Sequence, residues 1–228
     1  MSTSTTPPDA VVFDFDGLLV DTEWSIYEMA ATTFAEFGID LEVPVWATIV
    51  GLAGESDWWG QLTTANGWEI DREEWWRRYD SLDRSFRDHL PALPGVVDLL
   101  DGLEAAGVAR GIASSSSREW IDGHLERLGL RDRFATVAGV DRTGVGKPAP
   151  DVYLLACADL GADPARSVAV EDSGHGIAAA KAAGLFCVAV PSRITRHTDL
   201  SAADLIVASL AELRLTDLGR LVAGDTAG

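Results

Sequence analysis

Six short apolar runs punctuate the chain: Ala10–Phe15 (AVVFDF), Ala109–Ala113 (ARGIA), Thr136–Ala138, Ser167–Val170 (SVAV), Phe186–Val190 (FCVAV) and Leu205–Val207. Rich in β-branched and aromatic residues and sharply bounded, they read as buried strands. The segments between them carry a helical period. Strands alternating with helices build a parallel sheet covered on both faces, so the predicted fold class is α/β, a doubly wound, Rossmann-like parallel sheet.

One stretch breaks the alternation. From Ser25 to Leu90 the pattern is helical throughout and includes six of the eight tryptophans: Trp46, Trp58, Trp59, Trp68, Trp75 and Trp76. It is expected to be a small all-helical domain over 25–90, inserted into a core made of 1–24 and 91–228. Pro91 and Pro94 mark the return to the core, followed by a predicted helix over Val96–Ala106 that Gly107 closes.

Charge narrows the function classes. With 36 acidic against 18 basic residues among 228, the chain carries a formal charge of −18. Such a field repels nucleic-acid phosphates and anionic lipid. Neither a nucleic acid nor a membrane is an expected partner. Only Lys147 and Lys181 are lysines, which leaves few candidates for lysine chemistry. Cys157 and Cys187 sit in apolar stretches as small hydrophobes. The start, MSTSTTPPD, has no basic or apolar signal region, and a cytoplasmic monomer is expected.

In an open parallel sheet, ligands bind beyond the carboxyl ends of the strands. The first run ends in Asp14-Phe15-Asp16-Gly17, the second in Ser114-Ser115-Ser116-Ser117 and the fourth in Glu171-Asp172-Ser173-Gly174; Lys147 follows the third by a loop. Asp14 and Asp16, two apart, would share one face of a strand. Four carboxylates at one sheet edge repel one another unless a cation lies among them, and oxygen ligands without His or Cys select Mg²⁺. Ser116 and Glu119 have capping-box spacing, so a helix should start there and offer its N–H groups to an anion. A single ammonium, Lys147, would let a carboxylate approach a phosphate. Gly-Lys followed by Pro148 is no Walker loop, and there is no dinucleotide fingerprint.

In this order, DFDGLLVDT at 14–22, Ser114 after IAS, GKPAPD at 146–151 and VEDSGHGI at 170–177 resemble the motifs of the haloacid dehalogenase superfamily of phosphotransferases. The nearest subgroup is that of beta-phosphoglucomutase and the small sugar-phosphate phosphatases, which insert a helical cap after the first motif. The resemblance implies that Asp14 is the nucleophile that becomes an aspartyl-phosphate and Asp16 the general acid and base. It gives the phosphoryl oxygens to Ser114 and the backbone near Ser115, and makes Lys147 the bridge between nucleophile and phosphate. It implies Mg²⁺ bound by Asp14, Asp172 and the Asp16 backbone carbonyl, with Glu171 in or beside the ligand set.

Asp16 sets the chain apart from haloacid dehalogenases proper, and the lack of any lysine before Lys147 excludes the Schiff base of phosphonoacetaldehyde hydrolases. A mutase needs a cap-loop arginine and a nearby histidine. Here the loop reads Gly51-Leu52-Ala53-Gly54-Glu55, and Ile26 stands where the histidine would be. Arg72, Arg77 or Arg78 could instead grip a second phosphate from another part of the cap. The expected function is therefore a Mg²⁺-dependent phosphatase for a small phosphorylated metabolite, a sugar or polyol phosphate. The alternatives are a beta-phosphoglucomutase-type mutase and a catalytically silent binding homologue. Specificity is expected from the cap, with Trp58 and Trp59 stacking on the substrate and Glu55 facing the site.

Overall fold

A computed structural model describes residues 6–50, 58–83, 85 and 89–224. Strands β1 (Ala10–Phe13), β2 (Ala109–Ala113), β3 (Thr136–Ala138), β4 (Val168–Glu171), β5 (Phe186–Ala189) and β6 (Leu205–Ile206) form one parallel sheet in the order β3-β2-β1-β4-β5-β6. The predicted α/β fold class is thus observed, and β1 lies at the centre. Strand order reverses between β1 and β4, and such a switch point opens a crevice at the carboxyl ends.

The strands bury both faces, which is why they read as continuous apolar runs rather than alternating ones. Val11, Phe13, Ile112, Val168 and Val170 face one core, closed by α5 (Val96–Ala105), α6 (Arg118–Leu128) and α10 (Leu215–Ala223). Val12, Ala113, Ala169, Cys187 and Ala189 face the other, beneath α8 (Asp151–Leu160) and α9 (Gly174–Ala182); the short α7 (Val140–Thr143) precedes α8. The alanines on this second face let α8 and α9 approach closely.

Helices α1 (Thr22–Ala35), α2 (Val43–Ala47), α3 (Trp58–Asn66) and α4 (Arg72–Ser81) follow β1 and gather around an aromatic core of their own. Phe34 lies within 5.0–5.8 Å of the rings of Trp59, Trp68 and Trp75. The chain leaves and rejoins the sheet side by side: Val20 bridges Ala92 antiparallel, and the Leu93 N–H donates to the Leu19 carbonyl at 2.9 Å. Among the described residues, no helix is long and apolar enough to cross a membrane.

Candidate active site

Strand β1 stops at Phe13, two residues short of the predicted end. The Phe15 carbonyl accepts from the N–H groups of Leu18, Leu19 and Val20 at 3.0–3.4 Å, winding the chain into a turn. Gly17 makes this possible: its φ is +83°, and a Cβ there would lie 2.6 Å from the Asp172 Oδ2. Asp14 and Asp16 therefore lie beyond strand geometry, and the same-face alternation expected for them does not extend to this turn.

Asp14 stays tied to the sheet, its N–H donating to the Val170 carbonyl at 2.9 Å, and its carboxylate meets the Lys147 ammonium. Lys147 is 3% exposed and also contacts the Glu171 carboxylate, which is fully buried. Glu171 has both oxygens engaged: Oε1 with Lys147 and the Tyr153 hydroxyl at 2.7 Å, Oε2 with the Asp172 and Ser173 N–H groups at 3.1 and 3.3 Å. It holds Lys147 in place. The fit is close enough that a Cβ on Gly176 would fall 2.0 Å from that carboxyl.

Asp16 turns to other donors. Its Oδ2 accepts from the Ser116 hydroxyl at 2.6 Å and Ser114 at 3.4 Å; its Oδ1 accepts from Thr22 at 2.7 Å and the Trp120 indole N–H at 2.9 Å. This use of Ser116 corrects the expected capping box. The N-cap of α6 is Ser117, whose side chain accepts from the Trp120 N–H, so the helix starts one residue later and frees Ser116 for Asp16. Ser114 is buried and its Oγ also accepts from the Ser116 N–H at 3.0 Å, while the Ser115 hydroxyl accepts from the Lys147 N–H at 3.1 Å.

Electrostatics mark the cluster. Asp14, Glu171 and Asp172 bring carboxylate oxygens within 4.8 Å of one another, all buried, against the single charge of Lys147. Burial pushes Asp14 up to about 7, opposed by Lys147 and reinforced by Glu171 and Asp16. Asp172 is raised well above the ordinary carboxylate range by burial and by Asp14 and Glu171. Burial alone would push Lys147 down, yet the two carboxylates hold it above its ordinary value. An all-oxygen, buried donor set with this excess of negative charge fits a hard divalent cation.

Glu23, on the first turn of α1, escaped the sequence reading although it directly follows the Asp21-Thr22 pair. Burial, with Asp16, Asp14 and Asp21, pushes it up to about 8. The folded protein thus holds a proton there that the unfolded chain releases above about 4.5, so stability falls as pH rises between those values. In metal-free protein Glu23→Gln should be more stable than the parent by on the order of 1–3 kcal/mol near pH 8, with little difference near pH 4. Thermal melts at the two pH values check this.

Ser114–Ser116, Lys147, Asp172 and both aspartates of the first motif line one cavity of about 90 Å³. Glu23 and Val50 line it too, and both also line a second cavity of about 220 Å³ among the aromatic residues of α2–α4. Trp58 is on that second cavity, whereas Trp59 packs into the helical core, stacked on Phe34. Glu55 lies outside the described residues.

Residues 11–190 match the family model of the haloacid dehalogenase-like hydrolases. YhcW of Bacillus subtilis, named as a phosphatase, is 36% identical over 206 residues, covering 90% of this chain and 94% of that protein. Hexitol phosphatase B of Escherichia coli is 33% identical over 219 residues, covering 92% and 96%. Crystal structures of CbbY from Rhodobacter sphaeroides, in complex with phosphate and with xylulose-(1,5)bisphosphate, superpose with a TM-score of 0.70 at 28% identity, covering 90% and 96%.

Proposed function

The chain belongs to the haloacid dehalogenase-like hydrolase family and is a phosphatase within it; from that premise we propose that it hydrolyses a small phosphomonoester, of sugar- or polyol-phosphate size, through an aspartyl-phosphate on Asp14. The observation that carries the reading is the buried contact of Asp14 with Lys147 beside Asp172. An Asp14 carboxylate oxygen attacks phosphorus as the bond to the leaving oxygen breaks, and Asp16 delivers a proton to that oxygen. Asp16 then takes a proton from water, whose oxygen displaces Asp14 and releases inorganic phosphate. Lys147 offsets the charge between nucleophile and phosphoryl oxygens, and Ser114 holds one of those oxygens. Helices α1–α4 act as the cap that covers the reacting atoms.

Mg²⁺ would be held by Asp14, Asp172 and the Asp16 carbonyl, neutralising the transferred phosphoryl group. The test is phosphate release from a panel of sugar, polyol and nucleotide monophosphates, with and without Mg²⁺. Chelation should reduce release to background. Because burial pushes Asp14 up to about 7 in the metal-free protein, protons compete with the cation below that value. The Mg²⁺ concentration giving half-maximal rate should rise by roughly tenfold as pH falls from about 8 to about 6. A flat dependence would contradict Asp14 as a ligand.

A further inference from the structure

A residue that hands over a proton and takes one back needs a fixed orientation, and α6 supplies part of it for Asp16. Trp120 is the third residue of that helix, and a helical side chain leans toward the N-terminal turn. That turn follows β2, the neighbour of β1, so the Trp120 indole N–H meets the Asp16 carboxylate at 2.9 Å. The ring itself is held. It packs edge-on to His124, one turn further along the helix, with centroids 4.5 Å apart, and His124 lies 5.9 Å from the ring of Phe15. The Trp120 backbone N–H is tied to the Ser117 cap. Fixed at its backbone and on its ring, the side chain gives its one polar atom a single direction.

The donors on Asp16 are not alike. The Thr22, Ser114 and Ser116 hydroxyls can donate or, after turning, accept, whereas an indole N–H can only donate. The indole bond therefore distinguishes the two carboxyl oxygens. Oδ1 keeps that bond at full strength only while it is the C=O oxygen of the side chain, because the hydroxyl oxygen of a carboxylic acid is the weaker acceptor. Oδ2 meets the Ser114 and Ser116 hydroxyls, which can reverse to receive a proton's bond. Both serines line the cavity that Asp14 and Lys147 share, so Oδ2 is also on the side where phosphate is handled.

We infer that Trp120 is the positioning residue of the general acid and base: its indole N–H fixes Oδ1 of Asp16 as an acceptor and so assigns proton transfer to Oδ2. In the first step Oδ2 gives its proton to the leaving oxygen, which binds it with the electron pair kept from the broken bond to phosphorus. In the second, Oδ2 takes a proton from the water whose oxygen attacks phosphorus and displaces Asp14. The inference rests on the phosphatase reading above and assigns the atom that carries its proton.

Two esters of similar size test it by phosphate release in Mg²⁺: the oxygen of benzyl phosphate must be protonated as it leaves, whereas 4-nitrophenyl phosphate releases a stable anion. Trp120→Phe, which keeps a ring against His124, should lower kcat/KM for benzyl phosphate roughly ten- to a hundredfold and leave that for 4-nitrophenyl phosphate within about threefold. In an Asp16→Ala background the same substitution should change neither value beyond about threefold. Equal losses on the two esters, or a benzyl phosphate loss that persists in Asp16→Ala, overturns the inference. A second readout needs neither turnover nor a Trp120 variant. In ¹⁵N-labelled protein, Asp16→Ala should move one of the eight indole N–H resonances upfield; eight unmoved resonances overturn the inference. If that shift appears but the parent releases phosphate from no ester, the hydrolytic reading falls and takes the proton-transfer role with it, while the contact between Trp120 and Asp16 stands.

Discussion

Asp14→Asn should abolish phosphate release, lowering kcat by about 10⁴-fold or more, while the folded protein keeps its stability to within roughly 1 kcal/mol. The amide matches the carboxylate in shape but is no nucleophile, and neither Glu171 nor Asp16 is free to replace it. Glu171 is fully buried with both oxygens bound, and Asp16 is held by Ser116, Thr22 and Trp120. Stability should be spared because two effects oppose each other. The substitution removes a carboxylate partner of Lys147, and it relieves repulsion among the buried acids Asp14, Glu171 and Asp172. Phosphate-release kinetics and a thermal melt on one preparation measure both. Activity within tenfold of the parent would remove Asp14 from the nucleophile's role.

Lys147→Met should be damaging in both respects. It leaves two buried carboxylates without their shared cation, and breaking a buried pair from one side costs about 3–5 kcal/mol. Activity should fall by about 10³-fold, since the charge that brings Asp14 and phosphate together is gone. The two losses differ in pH dependence. Asp14, already raised to about 7 beside Lys147, would be raised further without it. The folded parent and the folded variant both hold the Asp14 proton below about 7, where the parent's Asp14 begins to ionise and the variant's does not, so the destabilisation relative to the parent grows with pH only above that value. Denaturant midpoints should approach the parent's toward about pH 5 and separate above about pH 7. A variant as stable as the parent at high pH would mean that the ammonium does not compensate these carboxylates.

The sheet was legible because its strands are buried on both faces and so appear as unbroken apolar runs between helical segments. The acid and serine clusters stood out because each directly follows such a run. Side-chain direction was harder to read. Trp58 and Trp59 are neighbours in sequence, yet one lines the second cavity and the other stacks on Phe34, a choice made by how α3 packs against α1 and α4. Asp14 and Asp16 diverge because the chain turns immediately after Phe13, where strand alternation no longer applies. The N-cap falls to Ser117 instead of the expected Ser116 because the Asp16 carboxylate, distant in sequence, claims the Ser116 hydroxyl. Glu23 is pushed up by burial and by Asp16 and Asp14, which lie in the turn just beyond β1, and local spacing does not encode either cause.

The pairing of Val20 with Ala92 also bears on how the chain can be edited. The two backbones run antiparallel at the point where α1–α4 begin and end, as the arms of a hairpin do. A tight turn of a few residues has the reach to join them directly. The segment between can therefore be excised, or exchanged for one of different length and shape, without moving either end of the sheet that holds Asp14, Lys147 and Asp172. A chain arranged this way can acquire a new leaving-group preference in one recombination event while the phosphate-handling half keeps its register.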